Sequence, residues 1–276
     1  MKSLLKLSLL LLLLKLTTSM NAQVALAPTS IFLDKNSGVG NLFVSNRSDK
    51  AQEVSITFAF GYPTSDEEGN LVMNYTDSLA FQQYALDPFI RAFPRTFILA
   101  PNKQQTVRLQ VKSANKLKDG FYFTRVKVLS TEQSKDVAAK PVEGLSTNII
   151  YKFEQVTAAF YKRGSLKTGV KVDKVDIEQK DGKIIAKPHL DRVGTAPFLG
   201  SIIGRILDSN GKVVSELEST TTVYFKTIRR AEFDLPNAKP GNYTLELTFK
   251  TKRSDMAKED LVQADPVVNT TSFTVK

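Results

Sequence analysis

The sequence predicts an all-β protein of two immunoglobulin-like β-sandwich domains. Apolar and polar residues alternate with a period of two over short runs, most clearly from Val54 to Phe60, as in strands with one buried face. Turn-forming segments such as Asp208 to Gly211 separate the runs. Nowhere do apolar residues keep helical spacing over four turns. About seven such runs in each half match the strand number of two sandwiches.

The first 22 residues predict a secretory signal peptide. Lys2 and Lys6 form a charged start, Leu7 to Leu14 is mostly leucine, and small polar residues precede a cut near Gln23. The apolar run is too short to cross a bilayer, which takes ~20 apolar residues. We therefore expect a periplasmic protein without a membrane span. An uncleaved amphipathic helix is the alternative.

The first domain is predicted over residues 23–163. Pro28 interrupts its opening strand and cannot donate to a ladder, so this strand lies at an edge or switches sheets there. Residues 61–88 are less regular, and only Leu71 to Tyr75 resembles a strand. The other main strands are expected at Val54 to Phe60, Val107 to Val111, Phe121 to Val128 and Ile149 to Tyr161.

The second domain is predicted over residues 164–276, after a linker at Lys162 to Ser165. A hairpin turn at Asp208 to Gly211 lies inside it. No sequence repeat relates this domain to the first. Its strands are expected at Val170 to Val175, Ile184 to Leu190, Ile202 to Leu207, Thr220 to Phe225, Arg230 to Leu235, Tyr243 to Phe249 and Ser272 to Val275.

Composition excludes several classes of function. The chain has no cysteine, so disulfide scaffolds, thiolate zinc sites and cysteine nucleophiles are ruled out. Its net charge is +10, and three lysines without an acid fall in the first 22 residues, which leaves +7. Because the lysines are scattered, we expect no nucleic-acid partner. The basic excess serves solubility or attracts acidic polypeptides.

The sequence shows no catalytic constellation. His189 is the single histidine, so neither a His-containing triad nor a multi-histidine metal site has the residues it needs. The acidic pairs Glu67-Glu68 and Glu259-Asp260 lie in polar stretches and are interpreted as solvated loop charges. We therefore predict no enzymatic activity, no metal and no cofactor.

One set of segments in the first half resembles a known family. Pro94 to Leu109 has the order of a proline, an aromatic-aliphatic strand, a second proline, a glutamine-rich turn and a Val-Arg-Leu strand. Phe121-Tyr122-Phe123 follows, and Phe160-Tyr161-Lys162-Arg163 ends the segment. This order and spacing, over residues 24–163, resemble the PapD-like periplasmic chaperones of pilus assembly. The second half resembles the family only as a β-sandwich.

The resemblance implies a mechanism of binding by an edge strand. Family members lend such a strand to an incomplete pilus subunit, with main-chain bonds holding the guest and alternating side chains filling its groove. The lending strand falls at Asn148 to Phe153, and its groove-filling side chains are Ile149, Tyr151 and Phe153. Alternatively these three side chains face the protein's own core.

The resemblance also points to anchoring and interdomain positions. The family holds a guest carboxylate with an arginine and a lysine, whose positions here carry the non-basic residues Ser30 and Ala158. Arg108 matches the family's buried interdomain arginine, and Asp119 lies one residue from its acidic partner. That pair would hold the domains in a boomerang arrangement.

Two functions follow as hypotheses. The first is a chaperone-like protein of the cell envelope that binds secreted or pilus-type subunits through its edge strand. The second is a structural or adhesive component of a cell-envelope or secretion assembly. The loss of basic residues at Ser30 and Ala158 favours the second.

Overall fold

The computed structural model describes residues 24–133, 150–236 and 238–275. The predicted signal peptide and Ile149 lie outside these residues. Strand and core placement confirm the predicted fold class, since the described chain is almost entirely β and forms two sandwiches. No helix among the described residues is both long and apolar enough to cross a membrane.

Among the described residues before 164, the first sandwich has eleven strands, two of which form a separate hairpin. In chain order they are β1 (Val24–Ala27), β2 (Ser30–Leu33), β3 (Val39–Asn46), β4 (Gln52–Ala59), β5 (Tyr62–Ser65), β6 (Leu71–Asn74), β7 (Ile90–Phe93), β8 (Thr96–Leu99), β9 (Gln104–Val111), β10 (Gly120–Glu132) and β11 (Lys152–Arg163). One sheet has the strand order β1-β3-β9-β7 and the facing sheet β2-β11-β10-β4-β8.

Period-two alternation places the core residues of this sandwich. In β4, Val54 and Ile56 are buried, and in β9 Val107, Leu109 and Val111 are buried, while the residues between them face outward or lie half-buried. The opening strand behaves as predicted at Pro28: β1 is the edge of one sheet and β2 the edge of the other. One interrupted strand therefore supplies an edge strand to each of the two sheets.

The segment between β4 and β7 is more ordered than its sequence predicts. β5 and β6 pair as an antiparallel hairpin, and α1 (Ser78–Tyr84) follows. Asp77 begins the helix, because its Oδ1 accepts the Ala80 N–H at 2.8 Å. Its Oδ2 accepts the Tyr62 hydroxyl at 2.6 Å, so one carboxylate connects hairpin and helix.

The second sandwich uses the strands after residue 169. They are β12 (Val170–Lys180), β13 (Lys183–Arg192), β14 (Phe198–Leu207), β15 (Val213–Val223), β16 (Lys226–Ile228), β17 (Ala231–Asp234), β18 (Gly241–Lys250) and β19 (Val267–Val275). One sheet has the order β12-β13-β16, with β17 also paired to β13, and the other β15-β14-β18-β19. Gly204 lets these sheets approach, because a Cβ there would lie 2.4 Å from Cζ of Phe233.

An aromatic cluster joins the two sandwiches, although none of the described strand pairings does. The Phe123 ring lies 4.7 Å from Tyr224 and 5.0 Å from Phe60, measured between centroids. Tyr62 stacks on Tyr224 at 5.8 Å and meets Phe225 at 4.8 Å. Buried aromatic pairs add ~0.5–1.5 kcal/mol each beyond burial. Burial of this cluster therefore fixes one sandwich against the other.

Candidate protein-binding edge strand

The strand β11 has two neighbours along one half and a single neighbour along the other. It pairs antiparallel with β10 along its whole length, from Lys152 opposite Thr131 to Arg163 opposite Gly120. On its other side β2 runs parallel to it only from residue 158 to 161. Residues 152–157 therefore have an outer edge that no other described strand covers.

Backbone alternation shows which groups this open edge presents. The Ala158 N–H points to β2, where the Thr29 carbonyl lies 3.5 Å from its nitrogen. In an extended strand the backbone groups of alternate residues point to the same side. The N–H and C=O groups of Lys152, Glu154 and Val156 therefore face outward and are available to another strand.

Side chains of β11 change from exposed to buried at Thr157. Residues 157–161 are all buried, whereas most of residues 152–156 are exposed. The small residues Ala158 and Ala159 sit where the strand packs on both faces, since Ala159 belongs to the first core and Ala158 to the interdomain cluster. A single strand thus holds the fold together at one end and presents an edge at the other.

Tyr151 and Phe153 lie at this open end, where the sequence predicts them to bind a partner. Phe153 shares its face of the sheet with Ala159 and Tyr161, so it extends the inner face past the end of the core. Its side chain is still 44% exposed and that of Tyr151 62% exposed. Their rings stack with centroids 6.3 Å apart and an interplanar angle of 25°.

The opposite face of the edge carries charge and one aliphatic residue. Glu154 forms an ion pair with Lys127 at 3.0 Å, and Val156 is exposed. On the inner face Gln155 donates from Nε2 to the Val24 carbonyl at 2.7 Å, which ties the strand to the start of β1. The edge is thus apolar on the side of Tyr151 and Phe153 and charged on the other.

The two anchor positions lie side by side but offer no positive charge. Ser30 of β2 is the register partner of Ala158 in β11. A cavity of about 260 Å³ opens at Ser30, and its lining includes Asp255 and Asp260 but no basic residue. Arg253 holds the pKa of Asp255 below its ordinary value, whereas burial raises that of Asp260. This cavity therefore offers a terminal carboxylate no basic side chain.

Lys162 is the basic residue nearest these positions along β11, and it is already engaged. Its Nζ donates to the carbonyl oxygens of Glu259 at 2.9 Å and Asp260 at 2.7 Å, and it lies 5.6 Å from the centroid of the Phe32 ring. Burial lowers the pKa of this amine. Lys162 therefore connects the two sandwiches rather than serving as a free anion-binding group.

The predicted interdomain pair of Arg108 and Asp119 is wrong. Arg108 lies on the outward face of β9 and is exposed, because buried Val107 and Leu109 take the inward positions on either side. Asp119 instead lies 3.7 Å from Nε of Arg163 at the end of β11. The aromatic cluster and Lys162 make the contacts between sandwiches that the sequence assigned to this pair.

Sequence patterns missed the roles of Gln155 and Val156 and the strand β5, with which the predicted strand at Leu71 to Tyr75 pairs as a hairpin. Alternation revealed that residues 149–161 form an extended run, but it could not show where β2 stops covering β11. The hairpin does carry a local signal, because the Asp66 to Asn70 turn lies between two extended segments. Asp66 accepts backbone N–H bonds from Glu68 at 3.0 Å and Asn70 at 2.8 Å, as an Asx turn does.

His189 and its neighbours form no evident site. Its Nε2 lies 2.7 Å from Oδ2 of Asp176 on the adjacent strand β12. Within residues 24–133, 150–236 and 238–275, no cluster of three or more His, Asp or Glu side chains could hold a metal ion. The pair is therefore a surface contact between two strands of one sheet.

Comparison with known proteins gives similarity to solved structures only. No protein-family profile matches the sequence, and no curated protein matches it. Similar structures include the YadV chaperone, with 10% identity over 91% of this chain and all of that chain, and a TM-score of 0.46. The SafB chaperone, solved in complex with the SafA pilin of Salmonella enterica, has 13% identity over 91% and 98% of the two chains, and a TM-score of 0.42.

A third similar structure is a complex of CsuC and CsuE from Acinetobacter baumannii, described as a chaperone with a tip adhesion subunit. It has 11% identity over 90% of this chain and 98% of that chain, with a TM-score of 0.43. The function proposed below rests on the geometry of β11.

Proposed function

We propose that this protein is a divergent PapD-like chaperone of the periplasm that binds secreted or pilus-type subunits through the first half of β11. The observation that carries the proposal is the open edge of residues 152–157, which ends where β2 begins. A partner strand would pair with the outward backbone groups of Lys152, Glu154 and Val156. Tyr151 and Phe153 would fill apolar space in the partner.

The energy available at this edge is modest. A net ~0.5–1.5 kcal/mol per backbone hydrogen bond gives a few kcal/mol for the edge. Complete burial of Phe153 and Tyr151 adds about 1–2 kcal/mol each, since full burial of a large apolar side chain is worth ~1.5–3 kcal/mol and both are already partly covered. Ordering costs offset part of this gain. The edge therefore suits reversible capture of a client.

The absence of a basic pair at Ser30 and Ala158 changes how a client would be held. A terminal carboxylate gains nothing from Asp255 and Asp260 across the cavity. Binding would therefore depend on main-chain pairing and on the apolar side chains of β11. We expect the affinity to change little with ionic strength, unlike that of a site built on a charge clamp.

The test combines capture with hydrogen exchange at single amides. Tagged protein is cross-linked to its partners in the envelope of its native host, and the complexes are purified. In the free protein the amides of Lys152, Glu154 and Val156 should exchange fast, whereas those of Phe153 and Gln155 are protected by β10. In the complex the first three should become protected as well.

The double variant Tyr151→Asp with Phe153→Asp should fold and lose capture. The matched control is Val193→Asp with Val268→Asp, which places the same charge on two exposed apolar residues of the second sandwich. Capture that persists in the double variant, or complexes in which the three amides still exchange fast, would contradict the proposal. Unfolding of the double variant would show that these rings are core.

The lack of a basic residue at both Ser30 and Ala158 favours a second candidate, a static component of an envelope assembly. Such a component would bury the same edge permanently. The two candidates differ in how readily the bound protein is replaced. If the protein is a chaperone, labelled free protein added to complexes purified without cross-linking should replace the bound protein. Complexes that retain all their original protein would favour the structural role.

A further inference from the structure

The outward face of the sheet β1-β3-β9-β7 carries basic side chains and two exposed aromatic rings. Arg108 of β9 points outward and is the register partner of Phe93 in β7. By the period of two, Arg91 of β7 and Lys112 just after β9 lie on the same side of the sheet. Phe43 of β3 also lies there and is 37% exposed, and Phe93 is 46% exposed. We call Arg91, Arg108, Lys112, Phe43 and Phe93 the basic face.

The cations of the basic face are close together. Lys112 Nζ lies 5.6 Å from the centroid of the Phe93 ring, so its ammonium group reaches along the sheet towards Arg108. Arg91 is the register partner of Gln110, the outward residue between Arg108 and Lys112. Diagonal neighbours on a sheet lie ~7–8 Å apart. The three cations can therefore act together on one anionic surface.

No acid lies within this sheet to offset the cations. None of its four strands contains an acidic residue, and residues 88–118 contain seven basic residues and no acidic one. Within residues 24–133, 150–236 and 238–275, no ion pair involves Arg91, Arg108 or Lys112. Arg91 Nη1 donates to the Ile90 carbonyl at 2.7 Å, which orients the guanidinium group and leaves its charge uncompensated.

The acids in the loops that border this sheet are Asp34, Asp49, Asp87, Asp119, Asp255 and Asp260. Asp34 accepts an N–H and a hydroxyl within its own turn at 2.7 and 2.8 Å, and Asp49 is flanked by two basic residues of its turn. Asp119 and Asp255 pair with arginines at 3.7 and 2.6 Å. Burial raises the pKa of Asp87 and of Asp260. These acids therefore leave the basic face with a net positive charge.

The basic face suits a fluid anionic surface better than a polypeptide. β9 is paired on both sides, with β3 and β7, so a partner strand cannot bond to the backbone beneath Arg108. The edge strands β1 and β7 have four residues each and are followed by Pro28 and Pro94, which limits strand addition at either edge. A bilayer needs no such pairing, because cations respond to its surface potential and exposed rings enter its headgroup layer.

We propose that the basic face docks on the surface of a bilayer that contains anionic phospholipids. Arg91, Arg108 and Lys112 lie among the lipid phosphates, and the rings of Phe43 and Phe93 enter the headgroup layer. Each cation near such a surface strengthens binding about fivefold, so three cations give weak and reversible docking. β11 belongs to the facing sheet, so docking leaves its open edge free. The proposal does not depend on the function proposed for β11.

The first test is cosedimentation with lipid vesicles. It uses the chain from Gln23 to Lys276, so that the predicted signal peptide does not contribute. The protein should bind mixed vesicles of phosphatidylglycerol and phosphatidylcholine but not vesicles of phosphatidylcholine alone, and binding should weaken as ionic strength rises. Equal binding to both kinds of vesicle, or binding to neither, would overturn the proposal.

Charge variants then locate the site. Arg91→Gln with Arg108→Gln should weaken vesicle binding about 25-fold. The matched control Lys212→Gln with Lys239→Gln removes the same net charge from two exposed residues of the second sandwich and should bind nearly as wild type does. Lys112→Gln, which lies outside the strands, should weaken binding about fivefold even if the double variant folds poorly. Equal losses in the control and the double variant would show that net charge alone sets the affinity, against the proposal.

A tryptophan probe tests whether the face enters the headgroup layer. The chain has no tryptophan, so Phe43→Trp introduces a single reporter, and Val268→Trp on the exposed side of β19 is its control. On phosphatidylglycerol vesicles the emission of the Phe43→Trp variant should shift to the blue and be quenched by brominated lipid, and that of the control should not. An unshifted Phe43→Trp spectrum in the bound protein would overturn the proposal.

A glutamate-rich peptide, followed by fluorescence anisotropy, distinguishes a membrane from an acidic polypeptide. The peptide should bind more weakly than the vesicles, since it has no backbone pairing available on this face. If the peptide binds and the vesicles do not, and Arg91→Gln with Arg108→Gln abolishes that binding, the basic face serves an acidic polypeptide and the proposal fails.

Discussion

Two phenylalanines of the same strand offer a direct test of how β11 divides its roles. Phe160 is 2% exposed and packs on Phe32 and Phe121 with ring centroids 4.8 and 5.6 Å away. Phe153 is 44% exposed and has Tyr151 as its aromatic neighbour. Phe160→Ala and Phe153→Ala remove the same side-chain atoms, the first from a buried site and the second from a partly exposed one.

The expected costs differ severalfold. Phe160→Ala leaves a cavity between the sandwiches, and such truncations cost ~3–5 kcal/mol. Phe153→Ala removes only the buried half of a side chain worth ~1.5–3 kcal/mol, so it should cost about 1 kcal/mol. At about 2–4 °C per kcal/mol for a chain of this size, Tm should fall by about 10 °C or more for Phe160→Ala and only a few degrees for Phe153→Ala.

Thermal and urea unfolding followed by far-UV circular dichroism can measure both variants. The chain has no tryptophan, so intrinsic tryptophan fluorescence is not an option. Client capture is measured in parallel, and Phe153→Ala should lose capture while it keeps most of its stability. If Phe153→Ala costs as much stability as Phe160→Ala, Phe153 is a core residue and the binding role of the edge is refuted.

Two more predictions concern the hairpin and the second sandwich. The Ala80 N–H and the Tyr62 hydroxyl hold the pKa of Asp77 below its ordinary value, so its ionised form stabilises the fold above pH ~4 and this stabilisation is lost as pH falls. Asp77→Asn should keep the helix cap and flatten the acid limb of a Tm-versus-pH curve; an unchanged limb would contradict this. Gly200→Ala should cost ~1–3 kcal/mol in urea unfolding, since its Cβ would lie 2.2 Å from the Lys250 carbonyl oxygen; wild-type stability would contradict the tight packing.

The interdomain contacts show where prediction from the sequence failed. The resemblance placed Arg108 between the sandwiches, but alternation along β9 puts its side chain on the outer face, between inward Val107 and Leu109. Lys162 and the rings around Phe123 make the contacts that were expected of it. Which residues of the two sandwiches contact each other depends on how the two cores dock. Local sequence patterns carry little information about that docking.

The hairpin of β5 and β6 illustrates a different limit. Leu71, Val72 and Met73 look like any short buried strand in sequence, because their apolar character says nothing about what covers them. Only the pairing of β6 with β5, and the packing of Tyr62 on Tyr224, show that one side of the hairpin is left open. Exposure is therefore a property of the assembled fold.

The sequence by itself determined the all-β class, the two sandwiches and the long strand predicted to end at Tyr161, because period-two alternation and turn residues act over a few neighbouring positions. Only the tertiary structure decided that Phe160 is buried and Phe153 exposed, although both belong to one alternating strand. Phe160 is buried because its face of β11 meets the cluster between the sandwiches, which includes Phe32 of β2, whereas Phe153 lies on the other face and beyond the residues that β2 pairs with, 158 to 161. Where a neighbouring strand ends is set by contacts across 120 residues or more of chain, such as the Thr157 hydroxyl donating to the Pro28 carbonyl at a separation of 129 residues.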